Sequence, residues 1–326
     1  MMKEEKKDSL RTLFREIHAE SIHGKTKKLI MIELNGLCNA QCIFCSRDAH
    51  IFRTSENLET SEIKELVEGK DIVTFLGGEP LMDKRLPYLL EYCKSKGQRT
   101  SIITNGVAFR DKELCDSVMR NLDFLTISIP SMDPVVYNRV MGFEGFSLLR
   151  EALPNIVRTP YRVFKEVNLI ALNSTIPGLS KVPEYLFNLG ISDLEIISIL
   201  YPIFNGRLED HPLELPDPKD PRLSEEVKKL SKFTQEKGIL LRGENCSSCM
   251  LADTPFTWMD SEIWPGPEYM AAKKINNKII LYSKADIISS LNFKQTEVCG
   301  RCSRKERCSG LPETTRILFS NDIKPL

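Results

Sequence analysis

The sequence lacks any run approaching the roughly 18 apolar residues that a membrane-spanning helix needs. Its start, Met1 to Ser9, is charged and has no apolar signal core behind it. Both absences lead us to expect a soluble, cytoplasmic protein with no membrane partner. Neither sign of charge predominates, since 45 Lys and Arg stand against 45 Asp and Glu. No global field therefore points to nucleic acid, and a nucleic-acid partner is not expected, although a local basic groove is compatible with that balance.

What the chain does have is cysteine. It carries 10, and eight of them fall into three tight groups. In a reducing compartment such clusters are metal sites or catalytic far more often than disulfides. The densest group is Cys38, Cys42 and Cys45, at the end of the apolar run Leu29 to Leu34. Three thiols cannot pair off, and thiolates are soft ligands for zinc, copper(I) or iron-sulfur clusters. A cube of four irons held by three cysteines leaves one iron open for a substrate. The competing reading is one stripe of a helix with cysteine as small core residue. Asn35, Gly36 and Asn39 instead favour a loop after a strand. Cys93 and Cys115 lie in helix-like segments and read as inert core.

The Cys-x3-Cys-x2-Cys spacing, with aromatic Phe44 just before the last cysteine, resembles the signature of the radical S-adenosylmethionine (SAM) superfamily. The resemblance implies that Cys38, Cys42 and Cys45 hold a 4Fe-4S cluster whose fourth iron is chelated by SAM. One electron then cleaves SAM to methionine and a 5'-deoxyadenosyl radical that abstracts hydrogen from the substrate. The cofactor carries that chemistry, and the protein positions and shields it.

Residues 8 to 24 suit an amphipathic helix within an N-terminal helical segment, 1–28. From Leu29 short apolar runs alternate with longer helical patterns. Candidate strands are 29–34, 71–76, 99–103, 123–129, 163–172 and 193–200. Candidate helices are 59–69, 82–96, 111–121, 134–158 with a break near Gly142 and Gly145, and 177–189. The alternation predicts an α/β fold around a parallel sheet covered on both faces. Periodicity does not choose between an open doubly wound sheet and an incomplete barrel. The resemblance implies a partial (β/α)6 TIM-like barrel over 29–207, with its site at the carboxyl ends of the strands.

Polar segments follow the strands. Gly77-Gly78-Glu79-Pro80 combines glycines that let backbone approach closely with a carboxylate that can accept from an ammonium group. On its own it reads as a turn; at this distance beyond the cysteines it resembles the family's motif for the SAM amino group. By the same resemblance Thr104, Asn105 and Ser128 are candidate SAM contacts, and so are Arg139 and Asn173. For the last two a surface ion pair and a helix N-cap are the competing roles.

Residues 208–221 hold four prolines without periodicity and read as a linker or lid. Beyond them a helix at 222–237 and a strand at 238–242 lead to Cys246 and Cys249, then to Cys299, Cys302 and Cys308. Two Cys-x2-Cys pairs are a strong metal signal, with a zinc ribbon as the simplest form. The fifth cysteine favours a second iron-sulfur cluster. Residues 222–326 resemble the auxiliary-cluster extension called SPASM or twitch, a small cysteine-rich domain. The cysteine that extension places shortly after Cys308 is absent, as Ser309 to Thr315 supply none, and another, expected after a hairpin at Pro255 to Pro265, is replaced near Gly266. That departure implies one auxiliary 4Fe-4S cluster, with Cys246 or Cys249 as its fourth ligand. Arg301, Arg304, Lys305 and Arg307 surround these thiols, either offsetting cluster charge or as a solvated loop.

A radical SAM enzyme with one auxiliary cluster is thus expected, acting on a peptide or protein side chain. Its electron donor would be a reduced flavodoxin or ferredoxin-type protein. The alternatives are rearrangement of a small cofactor or nucleotide precursor, as in the molybdenum-cofactor cyclase, and a non-enzymatic electron-transfer or zinc-stabilised binding protein. The first 28 residues are too few for a peptide-recognition domain. No general base can be singled out among Tyr161, Asp253 and His211.

Overall fold

In the computed structural model of the chain, the described residues are 28–45, 57–191, 193–204, 206–217, 220–245, 258–259, 268–283, 294–303, 305–307 and 310. The N-terminal helix expected at 8–24 and the cysteines Cys246, Cys249 and Cys308 lie outside them, as do Arg304 and most of the hairpin expected at Pro255 to Pro265.

Six strands follow the apolar runs: β1 (Lys28–Glu33), β2 (Ile72–Leu76), β3 (Arg99–Thr104), β4 (Phe124–Ser128), β5 (Phe164–Ile170) and β6 (Leu194–Leu200). Between them run α1 (Thr60–Val67), α2 (Leu86–Ser95), α3 (Lys112–Met119), α4 (Pro134–Met141), α5 (Phe146–Val157) and α6 (Lys181–Leu189). All five neighbouring pairs from β1 to β6 are parallel. All five residues of β2 are buried, as a strand covered on both faces requires.

Start signals in the sequence fix the helices. The Asp111 carboxylate accepts from Glu113 N and Leu114 N at the head of α3. Asp133 does the same for Val135 N and Val136 N, with Pro134 behind it at the first helical position. The long 134–158 pattern breaks where expected. The Asn138 side-chain oxygen, on α4, accepts from Gly145 N and Phe146 N and so caps α5. The core fills the layer between strands and helices with side chains such as Leu86, Leu89, Leu90, Leu125, Leu149 and Ile197, all fully buried. Each stabilises the fold by about 1.5–3 kcal/mol relative to exposure.

The segment past Pro221 adds strands to the same sheet. Helix α7 (Pro221–Lys237) leads to β7 (Leu240–Glu244), which pairs parallel with β6, and β8 (Trp258–Met259) pairs parallel with β7. At the other edge β9 (Glu268–Ile275) pairs parallel with β1, and β10 (Lys278–Ser283) turns back antiparallel onto β9. The order is β10-β9-β1-β2-β3-β4-β5-β6-β7-β8, a mostly parallel, unclosed sheet.

Residues 206–217 are packed against the fold. Leu208 and Leu215 are buried. The Asn173 amide donates to Leu213 O (2.7 Å) and Leu215 O (3.1 Å), and its oxygen accepts from Arg222 Nη2 (3.2 Å). The Tyr201 hydroxyl donates to Pro216 O. This strap is thereby fastened across the carboxyl ends of β5 and β6. No helix among the described residues is long and apolar enough to cross a membrane.

Candidate functional site: a three-thiol loop at the carboxyl edge of the sheet

The loop carrying Cys38, Cys42 and Cys45 leaves the carboxyl end of β1 and is gripped from two sides. On one side lies the turn after β2. Gly78 N donates to Asn35 O (2.9 Å) and Glu79 N to Leu37 O (2.7 Å). Gly77 has φ +150°, and a Cβ there would sit 2.7 Å from Asn35 O; at Gly78 it would sit 2.5 Å from Leu37 C. The close approach that these glycines permit is therefore to the cysteine loop's own backbone.

On the other side lies the carboxyl end of α4, whose last carbonyls have no partner within the helix. Gln41 N donates to Met141 O (2.9 Å) and Ile43 N to Val140 O (3.0 Å). Gly142 ends the helix at φ +68°, where a Cβ would come within 2.8 Å of Gln41 C. The Cys42 thiol lies 3.6 Å from the Met141 sulfur.

Glu79 is buried, and its carboxylate accepts from the Thr104 hydroxyl (2.5 Å), Asn105 N (2.9 Å) and Leu81 N (3.1 Å). Burial pushes its carboxyl above the usual range, and these three donors pull the other way. Pro80 is buried at the start of the short turn that Glu79 caps. The Asn105 amide donates to the Asn39 side chain (2.9 Å), tying the turn after β3 to the cysteine loop. Phe44 is half-buried and packs against the core. The structure thus brings Gly77, Gly78, Glu79, Pro80, Thr104 and Asn105 together around the thiols. Arg139 reaches away to Glu214 of the strap (3.1 Å), and Asn173 is engaged with the strap as described.

Burial, and then the neighbouring thiols Cys45 and Cys38, push the Cys42 thiol well above its ordinary value. A bound metal is what would hold it deprotonated. Among the described residues no three His, Cys, Asp or Glu side chains are placed to share one metal ion. Ligands of an iron-sulfur cube bind different irons and need not converge on one point. The donor set, three free thiols on one tightly held loop, fits a cluster better than a single ion.

Sequence reasoning singled out Ser128 but missed the rest of the polar face that β4 to β7 share. Ser128, Asn168, Ser198 and Arg242 lie in register across β4 to β7. Glu166 accepts from the hydroxyls of Thr126 (3.1 Å) and Ser198 and from Arg242 Nη1 (3.3 Å), and Arg242 also pairs with Glu244. Strand pairing aligns Glu33 on the same face. The signal was present as Glu166 and Asn168, two residues apart and so on one face of β5.

Of the auxiliary cysteines, Cys299 and Cys302 are described. The Thr296 backbone N lies 3.4 Å from the Cys299 sulfur, and Cys302 N donates to Cys299 O (3.0 Å). Gly310, at φ +93°, packs against Lys294, where a Cβ would fall 2.6 Å from Gln295 N. Gly310 thus lies against the backbone of Lys294 and Gln295.

Fold and site together define a parallel βα sheet carrying a three-thiol metal loop at its carboxyl edge. Residues 32–170 match the model of the Radical SAM superfamily. It is 24% identical over 192 residues to a probable GTP 3',8-cyclase of Methanococcus aeolicus, a match covering 56% of this chain and 62% of that protein. It is 28% identical over 121 residues to a PqqA peptide cyclase of Xanthomonas oryzae, covering 36% and 32%. The chain therefore spans less than two thirds of the curated relatives it matches. Streptococcus suis SuiB, solved bound to S-adenosylmethionine, has the same fold, with a TM-score of 0.57 at 14% identity over 92% of this chain and 77% of that one.

Proposed function

We propose that the chain is a radical SAM enzyme that abstracts hydrogen from a peptide or protein side chain. The observation that carries the reaction class is the three-thiol loop at the carboxyl edge, gripped by Gly77 to Glu79 on one side and the end of α4 on the other. Cys38, Cys42 and Cys45 would hold the 4Fe-4S cluster, with the backbone of Gly77 to Pro80 beside it and Ser128 at the end of β4 as SAM-contacting groups. When bound, cluster and SAM supply a 5'-deoxyadenosyl radical from one electron delivered by a flavodoxin or ferredoxin-type donor. The chain's own work is placement. Glu79 locks the turns after β2 and β3 together, Asn173 fastens the strap over the carboxyl ends, and the buried walls exclude water.

We take Cys299 and Cys302, with Cys308 and one of Cys246 and Cys249, as the ligands of one auxiliary cluster. Two candidate ligands in the last pair would complete its coordination and favour an electron-transfer or structural role.

The charges on the strand face of β4 to β7 favour the peptide over a nucleotide. Among the described residues of β4 to β7 this face carries the carboxylates Glu166 and Glu244 against the cation Arg242, which engages both. A nucleoside triphosphate would meet this excess of negative charge, whereas a neutral or cationic side chain would not. Calorimetric titration of the reconstituted protein with GTP tests the choice. No binding at millimolar GTP is expected, and micromolar binding would move the substrate to the nucleotide class.

A further inference from the structure

Tyr137 sits on α4 one turn before Met141, on the helix face that meets the cysteine loop. Its ring is fully buried and packs edge-on against Phe146, with centroids 5.6 Å apart. Its hydroxyl has no hydrogen-bond partner among the described residues. Burial, and then the nearby Cys42 and Glu79, push the phenol up. Four residues on, the Met141 sulfur touches Cys42.

A buried hydroxyl without a partner is costly, and such groups are almost always satisfied. A phenylalanine would fill the same space without that cost. The partner is therefore something that occupies the cysteine loop in the working protein. Thiolate and inorganic sulfide are acceptors, and both arrive with an iron-sulfur cluster.

We propose that Tyr137 is a positioning residue whose hydroxyl donates a hydrogen bond to the Cys42 thiolate or an adjacent sulfide of the 4Fe-4S cluster. A donor at that point stabilises the more negative, reduced cluster and raises its midpoint potential. The inference rests on the cluster assignment for Cys38, Cys42 and Cys45, which iron and sulfide content and the paramagnetic signal of the reduced cluster test separately.

The test is Y137F in the full, anaerobically reconstituted chain. Iron content is expected to match wild type, and the one-electron midpoint is expected to fall. Each tenfold loss of preference for the reduced state moves it by about 59 mV. In the reduced wild-type protein an exchangeable proton is expected to couple to the cluster, and that coupling is expected to vanish in Y137F. An unchanged midpoint with an unchanged coupling overturns the proposal. Should the variant hold too little cluster to read, wild-type protein carrying a magnetic oxygen isotope in the tyrosine hydroxyl reports the same contact. Absence of an oxygen coupling there overturns it as well.

Discussion

Replacing Gly78 with alanine should loosen the cysteine loop itself. The new Cβ would lie 2.5 Å from Leu37 C and 3.1 Å from Cys38 N, against backbone that cannot rotate away. Overpacking of this kind costs about 1–3 kcal/mol. Separation of the two strands of backbone also breaks Gly78 N to Asn35 O and Glu79 N to Leu37 O, each worth about 0.5–1.5 kcal/mol. Together we expect a loss of about 2 to 6 kcal/mol, a large share of the roughly 5–15 kcal/mol of a typical domain. Because the strain falls on Leu37 and Cys38, iron uptake should fall with stability. The assay is urea unfolding of the apoprotein alongside iron content after reconstitution. Gly178→Ala is the control, since a Cβ there meets nothing within 4 Å. A G78A protein as stable and as iron-loaded as the control would refute the proposed grip on the loop.

Asn173→Ala removes two hydrogen bonds that fasten the strap and a third from Arg222 of α7; limited proteolysis should cut within 206–217 at least tenfold faster, a loss of roughly 1.4 kcal/mol or more of local stability. Arg139→Ala breaks an exposed pair with Glu214 and should cost less than about 1 kcal/mol in unfolding experiments. Burial raises Glu195 to about 8, so the native state holds a proton that the unfolded chain has released above its ordinary value of 4.5. Stability should therefore fall as pH rises from about 5 to 8. Glu195→Gln should flatten that slope in denaturant titrations across the range.

Much of this architecture is legible because β1 to β6 are apolar runs bounded by turn residues, so the β1–β6 boundaries lie within two residues of the sequence reading. The pairing of β9 with β1 is not legible, because it joins residues more than two hundred apart and no local pattern encodes it. Gly78 was read as a place where a ligand meets backbone; what meets it is Leu37, a contact that only the folded loop reveals. Glu79 was read as an acceptor for an ammonium group, and its acceptor positions are engaged by Thr104, Asn105 and Leu81. Tyr137 looks like an ordinary core aromatic in sequence. Only its unpartnered hydroxyl sets it apart.

The most direct test is anaerobic. The reconstituted protein is reduced and given SAM, and 5'-deoxyadenosine is measured by mass spectrometry beside a Cys38/Cys42/Cys45 triple-alanine variant. The nucleoside should form in the intact protein and be absent from the variant. Full iron loading and proven reduction without cleavage, or equal cleavage by the variant, would contradict the assignment of SAM chemistry to this loop.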